Sequence, residues 1–273
     1  MDTPAISTPA GTLSPMMHTR AHWIAFKTIL IREVLRFSRI WIQTILPPAI
    51  TTALYFLIFG KLLGSQMPVM DGYDYTQYIA PGLIMLAIIT NSYANVVSSF
   101  YGSKFQHNIE ELLVAPVPNW LILAGFVGGG VARGVAVGVV VTAIALFFTD
   151  LHVTHWGVTI GVVLLTSVLF SLAGLINGIY ANSFDDISIV PTFVLTPLTY
   201  LGGIFYSINL LPDVWRAASL ANPILYMVNA FRFGILGVAD IGMLTAFGIT
   251  LGFIALLGSV SLYLLRRGTG TRS

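Results

Sequence analysis

Residues 119–148 read NWLILAGFVGGGVARGVAVGVVVTAIALFF, a stretch whose single charge is Arg133. A helix needs roughly 20 apolar residues to cross a hydrocarbon core about 30 Å thick, and this run is longer than that. Spanning strands would show alternating segments of about ten residues, and nothing here alternates. Lipid satisfies no backbone polar group, so a helix is the remaining way across.

Runs of the same kind recur on both sides, at Trp41 to Leu62, Tyr78 to Ser99, Trp156 to Ala181, Ile187 to Tyr206 and Met243 to Leu265. With Asn119 to Phe148 they make six expected spans in an all-α, polytopic membrane protein. The composition agrees, being 56% hydrophobic and 9% charged, where soluble globular chains carry roughly 25% charged residues. Between the fifth and sixth runs, Ser207 to Gly242 is interrupted by Pro212, Asn222-Pro223 and Gly234. That segment predicts short re-entrant outer helices, tolerated at membrane depth where protein or water covers the backbone.

Met1 to Thr19 has neither a basic start nor an apolar core, so it reads as a disordered cytoplasmic tail and not as a cleavable signal. From Arg20 to about residue 40 the periodicity is helical: Trp23, Phe26, Leu30, Val34 and Phe37 share a stripe, and Arg32, Arg36 and Arg39 lie opposite. Such a helix lies on the membrane surface, as an anchor or as a contact for a cytoplasmic partner. The basic residues also set the topology. Arg20, Lys27, Arg32, Arg36, Arg39, Lys104, Arg266, Arg267 and Arg272 fall on one side of a six-span arrangement, against Lys61, Arg216 and Arg232 on the other. Both termini are therefore expected in the cytoplasm.

A net charge of +2 with segregated basic residues gives no footprint for nucleic acid, and zero cysteines exclude disulfides and thiolate chemistry. The Gly128-Gly129-Gly130 run has no adjacent Lys and lies in an apolar stretch, so it is no phosphate loop. Together with Gly134 and Gly138 it supplies small residues for close helix packing. The cytoplasmic connection between spans two and three holds a short expected helix, with Asn108 as cap, Glu110 and Glu111 at the positive dipole end and Pro116 as stop. Its apolar residues Ile109, Leu112 and Leu113 need either lipid or a groove on a cytoplasmic protein.

The segments NIEELLVAPVP (108–118), GGGVARG (128–134), SFDDIS (183–188) and PTFVLTPLTYLGG (191–203), with Asn222-Pro223 and Phe231 to Gly234, resemble the type-2 ABC transporter permeases. They span most of the chain after Trp41. The resemblance implies a transmembrane domain over residues 41–273, in the bacterial inner membrane, paired with a second copy and with two cytoplasmic ATPase subunits. ATP and Mg would sit on those partners, with no cofactor on this chain. It also implies that His107, Asn108, Ile109, Glu110, Glu111, Leu112, Leu113 and Val114 form a coupling helix on the ATPase, and that residues 20–40 form an interface helix. Asp185 and Asp186 would make a second cytoplasmic contact or cap the start of span five.

Arg133 lies about 14 residues into its span, roughly 21 Å along a helix. A charge there belongs in the bundle or in a wet cavity, with Asn91, Asn95 or Asn177 to satisfy it, either as a structural network or for substrate headgroups or gating. Pro191 and Pro197 interrupt span five as hinges or as packing kinks. Tyr200, Phe205 and Phe231 are candidates for an outer gate. Together these features favour the permease subunit of an ATP-driven exporter of amphipathic or hydrophobic molecules. The alternative is a secondary transporter or lipid-handling protein, although no span carries the acids that proton or sodium coupling needs. No metalloprotease helix or nucleophile elbow supports an enzyme.

Overall fold

A computed structural model describes residues 15–109 and 117–268, which are helical and contain no strand. Helix α1 (Pro15–Arg39) begins earlier than the expected Arg20, and it leads into α2 (Trp41–Leu62). Next come α3 (Tyr75–Phe105), α4 (Asn119–Ala145) and α5 (Trp156–Tyr180). A broken helix α6 covers residues 186–200, followed by α7 (Asp213–Leu220), α8 (Pro223–Leu236) and α9 (Met243–Arg267). Five of these, α2, α3, α4, α5 and α9, are long and apolar enough to cross a membrane.

The fifth expected run does not fold as one continuous span. Helix α6 stops at Tyr200, and residues 201–206 form a turn. Pro191 has no N–H for the Ile187 carbonyl, and Asn177 Nδ2 donates to that oxygen instead, at 3.3 Å. From Pro191 to Leu195 the helix widens to π geometry, and the Thr196 hydroxyl returns to the Pro191 carbonyl at 2.9 Å. Gly203 then takes a φ of +68°, which only glycine adopts freely. Helix α8 restarts cleanly because Asn222 accepts from the Ile224 N–H at 3.0 Å and Pro223 occupies the first turn.

Helix α3 is the hub: 78% of its apolar window is buried, against 17% for α2 and 11% for α9. The glycines of α4 explain how tightly the layers meet. A Cβ on Gly125 would strike Ile29, and one on Gly129 would lie 2.5 Å from Glu33 Cβ, so this face seats α1. On the other face, Cβ atoms at Gly130 and Gly134 would strike Ser171 and Ser92, seating α5 and α3. On α3 itself, a Cβ at Gly82 would stand 2.7 Å from the Ile204 carbonyl oxygen, so the 201–206 turn can rest directly on helix backbone.

Candidate functional site

Helices α2, α3 and α6 and the 201–206 turn enclose a cleft of about 550 Å³. Its walls carry no charged side chain; they combine Pro47, Pro48, Leu83, Ala87 and Ile204 with Thr51, Thr90, Thr192, Thr196 and Thr199. Three of those hydroxyls spend their proton on their own helices: Thr90 donates to Leu86 O at 2.8 Å, Thr196 to Pro191 O and Thr199 to Thr196 O at 2.7 Å. Their oxygens are left with lone pairs, so the polar spots on the wall act as acceptors. All three helices contain proline, α2 at Pro47 and Pro48, α3 at Pro81 and α6 at Pro191 and Pro197, and those at 47, 48 and 191 on α2 and α6 line the cleft itself.

Aromatic rings gather at one end of the cleft. Phe205 lies 5.0 Å from Phe59, 5.8 Å from Tyr55 and 6.1 Å from Tyr200, and Tyr55 is 5.9 Å from Phe59. Of the three gate candidates, Tyr200 and Phe205 lie together in this cluster. Phe231 does not join them, because it faces the core from α8 with only 3% exposed.

The turn that carries Phe205 is held by Arg232, which the charge pattern counts simply among the basic residues of the second side. Arg232 is 2% exposed, and its guanidinium carbon sits 4.0 Å over the Tyr78 ring. Its Nη2 donates to Gly203 O at 2.6 Å and its Nε to Tyr78 O at 3.4 Å. Arg232 therefore ties α8 to the turn carrying Phe205. The available signal was a lone arginine inside the apolar run of α8.

The opposite end of the bundle holds a second polar cluster. Glu33 on α1, 1% exposed, accepts from Ser99 Oγ at 2.6 Å and from Arg36 Nη2 at 3.3 Å. Arg36 Nη2 also donates to Asn95 O and Oδ1, at 2.9 and 2.8 Å. Arg36 thus turns into the bundle, a correction to its assignment on an outward basic face. The cause is the glycine face of α4, which selects Ile29, Glu33 and Phe37 as the buried stripe and leaves Trp23 64% exposed. Arg32 reaches over the Phe126 ring at 5.9 Å, and Arg39 is exposed.

The three asparagines named with Arg133 part company. Asn91 Oδ1 accepts from Arg133 Nη2 at 3.2 Å. Asn95 serves Arg36, and Asn177 donates to Tyr93 Oη at 2.7 Å and to the Ile187 carbonyl freed by Pro191.

At the connection from α3 to α4, His107 takes a φ of +59° and Asn108 Nδ2 donates to Gln106 Oε1 at 3.1 Å. Ile109 is 1% exposed and packs in a cluster with Phe100, Ile122, Phe126, Leu175 and Leu264. Its apolar surface is thus used inside this chain, not in a partner groove. Glu110, Glu111, Leu112, Leu113 and Val114 lie outside the described residues. Asp186 forms a capping box with Ser183: its carboxylate accepts from the Asn182 and Ser183 N–H groups at 2.8 and 3.0 Å, and its own N–H donates to Ser183 Oγ at 3.1 Å. The Asn182 N–H bond holds the Asp186 carboxyl below the usual range. Asp185 is exposed beside it. Phe184 packs on Tyr101 and Phe105 at 4.9 and 5.4 Å, and Lys104 Nζ donates to the Ala181 carbonyl past the end of α5 at 2.7 Å, so this turn is fixed to the end of α3.

Residues 24–236 match the family described as ABC-2 type transporter. The chain is 57% identical over 258 residues to the inner membrane transport permease YadH of Escherichia coli K12, covering 94% of this chain and 100% of that protein. It is 24% identical over 263 residues to nodulation protein J of Rhizobium leguminosarum bv. viciae, covering 95% and 96% respectively.

Proposed function

Given that the chain belongs to the ABC-2 type transporter family and is a membrane transport subunit, we propose that it is the permease of an ATP-driven exporter of amphipathic molecules. The carrying observation is the uncharged cleft, lined on two sides by helix prolines and covered at one end by aromatic rings. Lipid-soluble cargo fits such walls, and broken helices are the elements that change shape at least cost.

In this reading α6 and the 201–206 turn together make the sixth crossing. The helix alone, at 1.5 Å per residue over 186–200, covers about 22 Å, short of the roughly 30 Å core. Helices α7 and α8 then dip into the outer leaflet as re-entrant elements. The basic residues keep both termini in the cytoplasm of a bacterial inner membrane, as the name of the YadH relative suggests. The little-buried α2 and α9 offer surface for lipid and for a second copy. Two cytoplasmic ATPase subunits, carrying ATP and Mg, would seat against Glu110 to Val114, with Asp185 as a lesser contact and α1 as the interface helix. Glu33, a buried carboxylate, is ion-paired to Arg36 and bonded to Ser99 and does not line the cleft, which favours ATP over proton coupling.

The test replaces Leu112 and Leu113 by Asp and follows co-purification with the ATPase and substrate-stimulated ATP hydrolysis in lipid vesicles. The expected result is an inserted, folded protein that has lost its ATPase or its coupling. Unchanged assembly and unchanged coupled transport would defeat the reading.

A further inference from the structure

Arg133 is a sparsely compensated charge inside the bundle. Its neighbour Arg36 has Glu33 as counter-ion at 3.3 Å, whereas Arg133 has no carboxylate within salt-bridge reach among the described residues. One hydrogen bond, to Asn91 Oδ1 at 3.2 Å, is all its guanidinium makes there, and its buried Nε has no partner. Arg36 Nε and Asn95 Nδ2 are likewise buried donors without an acceptor. Arg32 also reaches the Glu33 carboxylate, at 3.8 Å, so the cluster sets one acid against three arginines and holds three buried nitrogen donors lacking acceptors. Guanidinium groups at membrane depth are stable when paired or wetted, and the chemistry missing here is an anionic acceptor. Asn91 connects this cluster to the cleft, because it lines the cleft while bonding Arg133. The nearest wall beyond it, Ala87, Thr90 and Ala94, is uncharged.

We infer that Arg133 and Asn91 recognise the acidic headgroup of an amphiphile whose apolar part lies along the cleft. The inference rests on the cleft being the cargo path, and it narrows the cargo from amphipathic molecules to those with one anionic group. A phosphate ester or a carboxylate meets the requirement, because each accepts from several N–H donors at once. The shared chemistry is an anion on a lipid-like tail, whether the molecule is cargo or a resident acidic lipid.

The experiment uses the full chain in nanodiscs of phosphatidylcholine doped with phosphatidylglycerol, with native mass spectrometry counting the retained lipids. The wild type is expected to retain phosphatidylglycerol over phosphatidylcholine. Arg133→Gln should weaken that preference by roughly ten- to a hundredfold, the range for a hydrogen bond to a charged group. Arg133→Lys, which keeps the charge and guards against misfolding of the Gln variant, should retain most of it. Thr196→Trp, which narrows the cleft, should weaken phosphatidylglycerol retention without affecting binding of inorganic phosphate. Equal retention of both lipids by the wild type, or an Arg133→Lys variant that behaves like Arg133→Gln, overturns the inference. So does inorganic phosphate that binds as tightly as the lipid, because the site would then read a free anion. None of these readouts involves the ATPase, so their failure is separable from failure of the transport assignment.

Discussion

The two ends of the bundle bury arginine in opposite ways. Arg36 is held chiefly by side chains, the Glu33 carboxylate of α1 and the Asn95 amide oxygen of α3, with the Asn95 carbonyl as a third acceptor. Arg232 is held by two main-chain carbonyls and the face of a tyrosine ring. A carboxylate partner makes the first cluster an exchange between charged groups, so deleting one member strands the other. Backbone acceptors make the second a mechanical tie, whose loss frees a turn and not a charge. The difference suits the places the clusters occupy: one joins a surface helix to the hub, and the other pins the turn beneath the aromatic rings.

The largest effect should come from Glu33→Ala, which leaves the part-buried Arg36 without its counter-ion. Breaking one half of a buried pair costs about 3–5 kcal/mol, and the partial exposure of Arg36 places the loss at the lower end of that range, still enough to remove most of the folded protein from a detergent extract. Adding Arg36→Met to the same chain should recover most of that loss in a thermal unfolding assay. If the double variant is as unstable as the single one, the cluster does not act as a compensated ion pair, and the contrast between the two ends fails.

A smaller effect is expected from Arg232→Met. The Gly203 and Tyr78 carbonyls lose a buried donor, each unsatisfied group costing about 1–3 kcal/mol, while a desolvated charge is removed at the same time. The net loss should be about 2 kcal/mol, and no second substitution of an acid should rescue it. The sharper readout is local. With Thr196→Cys introduced into this naturally cysteine-free chain, an impermeant thiol reagent added outside should label the cleft faster in the Arg232→Met background. Unchanged labelling would mean that the turn is held by Gly82 packing alone.

Much of the architecture was legible because hydrophobic length is a local property. The spans starting at Trp41, Asn119, Trp156 and Met243 fold where the apolar runs begin. Helix α3 outruns its apolar run at both ends, from Tyr75 to Phe105, because helix can continue where hydropathy has already fallen. The break in α6 was visible as Pro191 and Pro197, but its ending at Tyr200 depends on the 201–206 turn resting on Gly82, a contact between residues far apart in sequence. The charged sites were less legible for the same reason. Periodicity placed the arginines of α1 on one face, yet it did not reveal that the glycines of α4 would choose the face carrying Glu33. A lone acid in a basic helix and small residues at Gly125 and Gly129 were the signals available. Neither identifies the other without the packed structure.

The smallest effect concerns the turn at Ser183 to Asp186, at the same end as Arg36 but exposed. Asp186 accepts two backbone N–H groups, which favour its charged form and depress its folded pKa below that of the unfolded chain. A depressed carboxylate contributes stability that is fully present above the unfolded value and is lost as pH falls through the folded one. The amide NMR shifts of Asn182 and Ser183 should therefore stay constant from neutral pH down to the ordinary carboxylate range and move together below it. In Asp186→Asn the same amides should lose that titration while the spans remain folded. Amides that keep the same titration in Asp186→Asn would show that a carboxylate other than Asp186 governs the turn.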